Sequence, residues 1–369
     1  MKKILVVFGT RPEAIKLYPL IKELRARAGI ECTVCITGQH REMLDSVLAD
    51  LGLVADIDLG IMKDSQSLFD ITIDVLEKMS ELLSRLSPSI VLVHGDTASA
   101  FVSALACFYM RIPIAHIEAG LRSDDIFDPY PEEFNRRAIS LVSSIDFAPT
   151  SDAAERLLRE GKRAERIFVT GNTVIDTLRY TVRQDYSHPI TEWARGKRLI
   201  LFTAHRRESI GEPMRRIFRA LRRIAKEYED VRIVYPIHMN PSVREIAKEV
   251  LFGCEGIRIT DPLDVTDLHN VMSRSYIVVT DSGGLQEEAA FLNLPVLVVR
   301  ERTERGEGVQ TGAIKVIGTQ EEGVYKNIKL LLEDKEIYER MSKAKNPFGN
   351  GHASKRIADI LCGLKSELI

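Results

Sequence analysis

Short aliphatic and β-branched runs alternate with longer amphipathic runs along nearly the whole chain. In the first half, "ILVVFG", "CTVCIT", "SIVLVHG", "IPIAHIE", "IDFAPT" and "RIFVTG" fit buried strands. Periodic segments such as "EAIKLYPLIKELRA" and "TASAFVSALACFYM" fall between them. A second series opens with "RLILFTA" near Arg198 and continues through "VRIVYPI", "GIRIT", "YIVVT" and "LPVLVV". This alternation predicts βαβ units, and so parallel sheets wrapped by helices. The polar stretch "RYTVRQDYSHPITEWARGK" separates the two series and is the expected linker. Two Rossmann-like doubly wound domains facing across a cleft follow, with ligands expected at the carboxyl ends of the strands.

The length of 369 residues agrees with two domains of ordinary size. Fifty-one basic residues against 53 acidic ones give a net charge of -2, which offers no electrostatic reason to expect nucleic acid or a membrane surface. No stretch approaches the roughly 18 uninterrupted apolar residues of a membrane helix. "MKKILVVFGTRPE" fits a first strand better than a leader, because Arg11 and Glu13 arrive before any cleavage site, so a cytoplasmic location is expected. On the arginine-rich segment "MRRIFRALRRIAKEY", Met214, Ile217, Phe218, Leu221, Ile224 and Ala225 form a core-facing stripe, which makes the arginines a solvated face. Cys32 and Cys35 have C-x-x-C spacing, but on a strand they point to opposite faces and cannot share a metal.

Candidate chemistry gathers at strand ends. In "FGTRPEA", Thr10 and Glu13 have capping-box spacing, which leaves Arg11 as a bidentate donor beside a helix N-terminus suited to phosphate. "VTDSGGLQEEAAF" repeats the geometry: Ser282 can cap, Gly283 and Gly284 admit close backbone approach, and Glu288 can reach a ribose. Neither G-x-G-x-x-G nor a P-loop is present, which argues against dinucleotide redox chemistry and nucleotide hydrolysis. Asp96 in "LVHGDTASA" reads alone as the N-cap of a helix from Thr97, and Glu132 in "DPYPEEFNRR" as a dipole complement. Together with Glu118 in "HIEAGLRS", they occupy three consecutive strand-to-helix connections, and converging carboxylates suit proton transfer. "FTAHRRES" adds His205, Arg206 and Arg207, and "YPIHMNP" adds His238, cationic groups fit to neutralise a departing diphosphate. The histidines show no metal-binding spacing.

In order, "FGTRPEAIK", "GQHREML", "VHGDT", "HIEAGLRS", "PEEFNRR", "GNTVIDT", "TAHRRE", "HMNP", "TDSGGLQEEA" and "RERTERGEGV" resemble the non-hydrolysing UDP-N-acetylglucosamine 2-epimerases, from about residue 4 to residue 318. The resemblance implies a GT-B-type architecture with the terminal helix "ASKRIADILCGLKSELI" returning to the first domain, so residues 1–172 plus 353–369 and residues 173–352 are the expected domains. It implies interconversion of UDP-GlcNAc and UDP-ManNAc without metal or redox cofactor, in a homodimer. Asp96, Glu118, Glu132 and His205 match the family's catalytic residues, and Lys16 a lysine near its catalytic centre. Arg11, His238, Ser282, Gly283, Gly284 and Glu288 match its UDP contacts; Gln39, Glu42, Glu132 and Arg206 match contacts of an allosteric UDP-GlcNAc. Gly306 stands where the family's T-E-R-P-E has proline, which predicts a looser loop, and "SDDIFDP" also departs from the pattern. Two other readings stay open: a 2-epimerase for a modified UDP sugar such as a diacetamido uronic acid, and a UDP-sugar-dependent glycosyltransferase.

Overall fold

In a computed structural model, described over residues 1–38, 41–63, 66–123 and 125–364, the chain forms two parallel-sheet α/β units. One comprises Met1–Arg179 and Phe348–Ile369, the other Tyr180–Pro347.

The first unit runs β1 (Lys2–Phe8), α1 (Arg11–Arg25), β2 (Ile30–Ile36), α2 (Arg41–Leu51), β3 (Ile57–Asp58), α3 (Leu68–Leu86) and β4 (Ile90–His94). It continues with α4 (Ala98–Tyr109), β5 (Ile114–Ile117), α5 (Glu132–Val142), β6 (Ile145–Ala148), α6 (Ser151–Arg159), β7 (Ile167–Val169) and α7 (Thr173–Thr181). The second unit has α8 (Pro189–Trp193), β8 (Arg198–Thr203), α9 (Glu212–Glu227), β9 (Val231–Pro236), α10 (Pro241–Leu251), β10 (Ile257–Thr260) and α11 (Val265–Ser273). Then follow β11 (Ile277–Thr280), α12 (Gly283–Phe291), β12 (Val296–Val298), α13 (Gly306–Thr311), β13 (Ile314–Val316), α14 (Glu321–Glu333) and α15 (Lys335–Ser342). Helix α16 (Ala353–Gly363) lies back in the first unit and packs on α1.

The first sheet has the order β3-β2-β1-β4-β5-β6-β7 and the second β10-β9-β8-β11-β12-β13, all parallel. Both orders reverse direction once, between β1 and β4 and between β8 and β11. At such a reversal the connections leave on opposite faces of the sheet, opening a crevice at the strands' carboxyl ends. The central strands read as continuous apolar runs because helices cover both faces: β4 and β5 are buried at every position. On α9 the expected stripe is the core face, with Met214, Ile217, Phe218, Leu221 and Ile224 fully buried, while Arg215, Arg219 and Arg223 pair with Glu249, Glu321 and Glu322 outside. The segment expected as a linker carries a short helix, α8, opened by Pro189. Most of helix α7 lies in the first unit, where Thr177 Oγ1 donates to the Ile15 carbonyl at 2.7 Å, and the two units divide in its last turn, between Arg179 and Tyr180, rather than at the expected residue 172. Among the described residues no helix is long and apolar enough to cross a membrane.

Candidate active site

The carboxylates named from the sequence come together at the reversal point of the first sheet. Asp96 follows β4 and Glu118 follows β5. Glu118 has φ 61°, a left-handed conformation that non-glycine residues adopt at an energetic cost and that recurs at functional sites. Lys16 on α1 reaches both Glu118 oxygens, at 2.8 and 2.6 Å, and Asn172 Nδ2 donates to Oε2 at 2.8 Å. His94 Nε2 lies 3.7 Å from the same oxygen; burial pushes this imidazole down to about 4, which keeps it neutral.

Asp96 is not the cap of its helix. That duty falls to Thr97, whose Oγ1 accepts from Ala100 N at 3.0 Å, so Asp96 stands one residue upstream with no amide to serve. Arg136 on α5 pairs with it at 2.5 Å, and Asn135 Nδ2 holds its backbone carbonyl at 2.9 Å. Burial raises the Asp96 carboxyl; Arg136 offsets only part of this, and the charges of Glu118 and Glu132 add to the rise. Glu132, half-buried at the start of α5, is thus electrostatically coupled to Asp96. Its neighbour Glu133 does structural work, gripping Arg137 at 2.6 Å and the Ser123 amide at 2.9 Å, which ties the "HIEAGLRS" loop to α5.

Arg11 is the first residue of α1 and is half-buried. Beneath it, buried Glu13 accepts from Gly9 N, Thr10 N and Thr10 Oγ1 at 3.0, 2.9 and 2.8 Å, and from Thr97 Oγ1 at 2.9 Å. The capping box thus extends across the reversal point and joins the turn bearing Arg11 to the turn beside Asp96. Burial raises the Glu13 carboxyl to about 7 despite these donors.

In the second unit, His205 follows β8 and Ser282 follows β11, the two strands flanking its reversal point. Between them stands Asp281, fully buried and overlooked in the sequence. Its Oδ2 accepts the His205 and Arg206 amides at 2.7 and 2.8 Å, and its Oδ1 lies 3.3 Å from His205 Nδ1. Hydrogen bonding to Asp281 raises the His205 pKa above its ordinary value, favouring the imidazolium. The His205 ring stacks on His238, with centroids 5.3 Å apart; burial and the charge of His205 lower His238. Ser282 occupies the N-cap position of α12, but its side chain makes no cap bond. A Cβ on Gly283 would lie 3.3 Å from Arg305 Cζ, so the missing side chain gives room to Arg305, held by Glu287 at 2.6 Å. Glu288 is buried within α12, 3.3 Å from His269 Nε2. Arg206 Nε donates to the Asp281 carbonyl at 3.0 Å. Gln39 lies outside the described residues, as does the side chain of Glu42 in α2.

This arrangement offers two kinds of chemistry. The first unit presents one carboxylate compensated by Lys16 and another raised toward protonation, the contrast expected of an acid and a base. The second presents a histidine biased toward its charged form, arginines and a helix N-terminus, the groups that bind a diphosphate. Among the described residues no cluster has the composition and spacing of a metal site.

The family model described as UDP-N-acetylglucosamine 2-epimerase matches residues 22–362. The chain is 49% identical over 359 residues to UDP-N-acetylglucosamine 2-epimerase of Bacillus subtilis, covering 97% of this chain and 94% of the relative. It is similar to the crystal structure of UDP-GlcNAc 2-epimerase from Neisseria meningitidis bound to UDP-GlcNAc, with TM-score 0.91, 42% identity, and 98% and 100% of the two chains covered. The enzyme of Methanocaldococcus jannaschii in complex with UDP-GlcNAc and UDP superposes with TM-score 0.81 at 32% identity, covering 98% and 99%.

Proposed function

The chain belongs to the UDP-N-acetylglucosamine 2-epimerase family, and from that premise we propose that it interconverts UDP-GlcNAc and UDP-ManNAc by eliminating and re-adding UDP. The C2 hydrogen of the sugar is not adjacent to a carbonyl, so enolisation cannot invert the centre. In the proposed reaction a carboxylate takes the C2 proton as the C1–O bond to UDP breaks, forming the C1=C2 double bond of 2-acetamidoglucal. A proton then returns to C2 on the other face and UDP adds back at C1. Opposite faces require two acid/base groups.

The observation that carries this reading is the convergence of Asp96, Glu118, Glu132 and Lys16 at one reversal point, with Asp96 raised and Glu118 paired to a lysine. Arg11, His205, His238, Ser282, Gly283, Gly284 and Glu288 are assigned to UDP, and Arg206 to a regulatory nucleotide sugar. Incubation with UDP-GlcNAc alone in heavy water tests the reaction, followed by NMR. Conversion with deuterium at C2 supports it; product that keeps protium at C2 excludes the mechanism, and inertness without an acceptor favours a transferase.

A homodimer is part of the proposal. Helices α3, α4 and α5 pack side by side and expose Phe69, Tyr109 and Leu141, with Phe127 and Tyr130 on the adjoining loop. Leu68, Phe101, Phe127, Tyr130 and Phe134 line a pocket of about 350 Å³ on the same face. Exposed apolar side chains beside an apolar pocket suit a second copy of the chain.

A further inference from the structure

The "GNTVIDT" segment, residues 171–177, has no part in the chemistry assigned above, yet its polar side chains are almost entirely buried. Asn172, just before α7, is held at three points. Its backbone N–H donates to the Phe348 carbonyl at 2.8 Å, its Oδ1 accepts from Val174 N at 3.2 Å, and its Nδ2 donates to Glu118 Oε2 at 2.8 Å. One turn on, Asp176 accepts the first two amides of α16, from Ala353 at 3.1 Å and Ser354 at 2.6 Å. Thr177 bonds the carbonyl of Ile15, the residue before Lys16. Gly171 meets Gly349 so closely that a Cβ on the former would stand 3.1 Å from the Cα of the latter. One short helix therefore fastens Glu118, the backbone beside its lysine partner, and the start of the C-terminal helix.

We propose that Asn172 is a positioning residue for Glu118, and that α7 is the bracket fixing that carboxylate against the segment by which the chain re-enters the first unit. The proposal rests on Glu118 taking part in the proton chemistry at C2. A lysine on a flexible four-carbon stem follows a carboxylate wherever it turns. The Asn172 amide is anchored by its own backbone and by Val174, so its bond to Oε2 sets the rotation of the carboxyl plane and leaves a defined lone pair for the substrate. Glu118 adopts a strained backbone conformation, which persists only where surrounding contacts over-determine it, and Asn172 is one of those contacts.

The test compares Asn172→Asp and Asn172→Ser with the native enzyme in kcat, KM for UDP-GlcNAc, thermal midpoint and the pH profile of kcat. Asp is isosteric and keeps an oxygen for Val174 N, but replaces the donor by a negative charge beside Glu118. The expected result is a kcat lower by about 10- to 100-fold with KM within about twofold, as for a displaced reacting group. The acid limb should move up by about one pH unit or more, because a neighbouring like charge favours the protonated carboxyl. Asn172→Ser keeps a short cap that cannot reach Glu118, so it loses kcat without that large shift, and it carries the test if the Asp variant does not fold. A folded variant with native kcat and pH profile overturns the proposal, as does a loss that only tracks the folded fraction. Glu118→Gln separates the two ideas: if it remains active, the role of Glu118 fails; if it is inactive while both Asn172 variants match the native enzyme, the bracket alone fails.

Discussion

Asp281→Asn isolates one atom of the second unit's site. Both backbone amides, of His205 and Arg206, donate to the same oxygen, Oδ2, so an asparagine with its carbonyl oxygen there keeps both bonds. Its amide nitrogen then occupies the position of Oδ1, 3.3 Å from His205 Nδ1, where an imidazolium would present a second donor. The variant therefore keeps the fold and opposes the charged form of one histidine. A hydrogen bond to a charged group contributes about 1.5–3 kcal/mol, and one pKa unit corresponds to about 1.4 kcal/mol. The His205 side chain is 43% exposed, so solvent screens part of this and the His205 pKa is expected to fall by less than the full bond would give. In the native protein Asp281 raises His205, and the stability from that pairing is full below the ordinary histidine value and is lost as pH rises through the folded one. The stability gap between native and variant should therefore be widest between about pH 4 and 6.5 and close above it. NMR titration of the His205 ring and the alkaline limb of kcat, which should move to lower pH, are the measurements. An unchanged His205 titration would refute the assignment of Asp281 as the group that charges it.

Other outcomes follow from single contacts. Asp96→Asn should abolish epimerisation and C2 deuterium uptake; undiminished turnover removes Asp96 from the chemistry. Glu13 binds its proton more tightly folded than unfolded, up to about 7, so native stability should fall between about pH 4.5 and 7 by about 3 kcal/mol, and Glu13→Gln should flatten that slope in urea titrations. Gly306 begins α13 with φ outside the left-handed region and open space around it, a position that accepts proline; Gly306→Pro should stabilise by about 0.4–1 kcal/mol, and a lowered thermal midpoint contradicts this. Phe127→Asp with Tyr130→Asp should shift the sedimentation coefficient from dimer to monomer; an unchanged value places the interface elsewhere.

What the sequence made legible was whatever depends on local pattern. Eleven strands stood out because each writes a short run of aliphatic and β-branched residues that needs no partner to be recognised, most plainly where both faces are buried, as in β4, β5, β6 and β11. The two missed are β3, which has only two residues, and β13, whose run is broken by the exposed Lys315 at its centre. The placement of Asp96 and Glu118 at strand ends was also local, since a carboxylate directly after a buried run breaks the pattern. The groups that give those carboxylates their character were not legible. Arg136 reaches Asp96 across 40 positions and Asn172 reaches Glu118 across 54, and nothing in either residue's immediate neighbours announces the partner. Asp281 was hidden differently: between a strand and Ser-Gly-Gly it reads as turn chemistry, and only the pairing of β11 with β8 brings it under the His205 and Arg206 amides. The same topology joins Thr97 to Glu13 and so takes the capping role from Asp96. Local sequence thus nominates the reacting groups, while the order of strands in each sheet selects the neighbours that charge and orient them. The most informative substitutions are therefore those at Asn172 and Asp281, whose roles exist only once the sheets have formed.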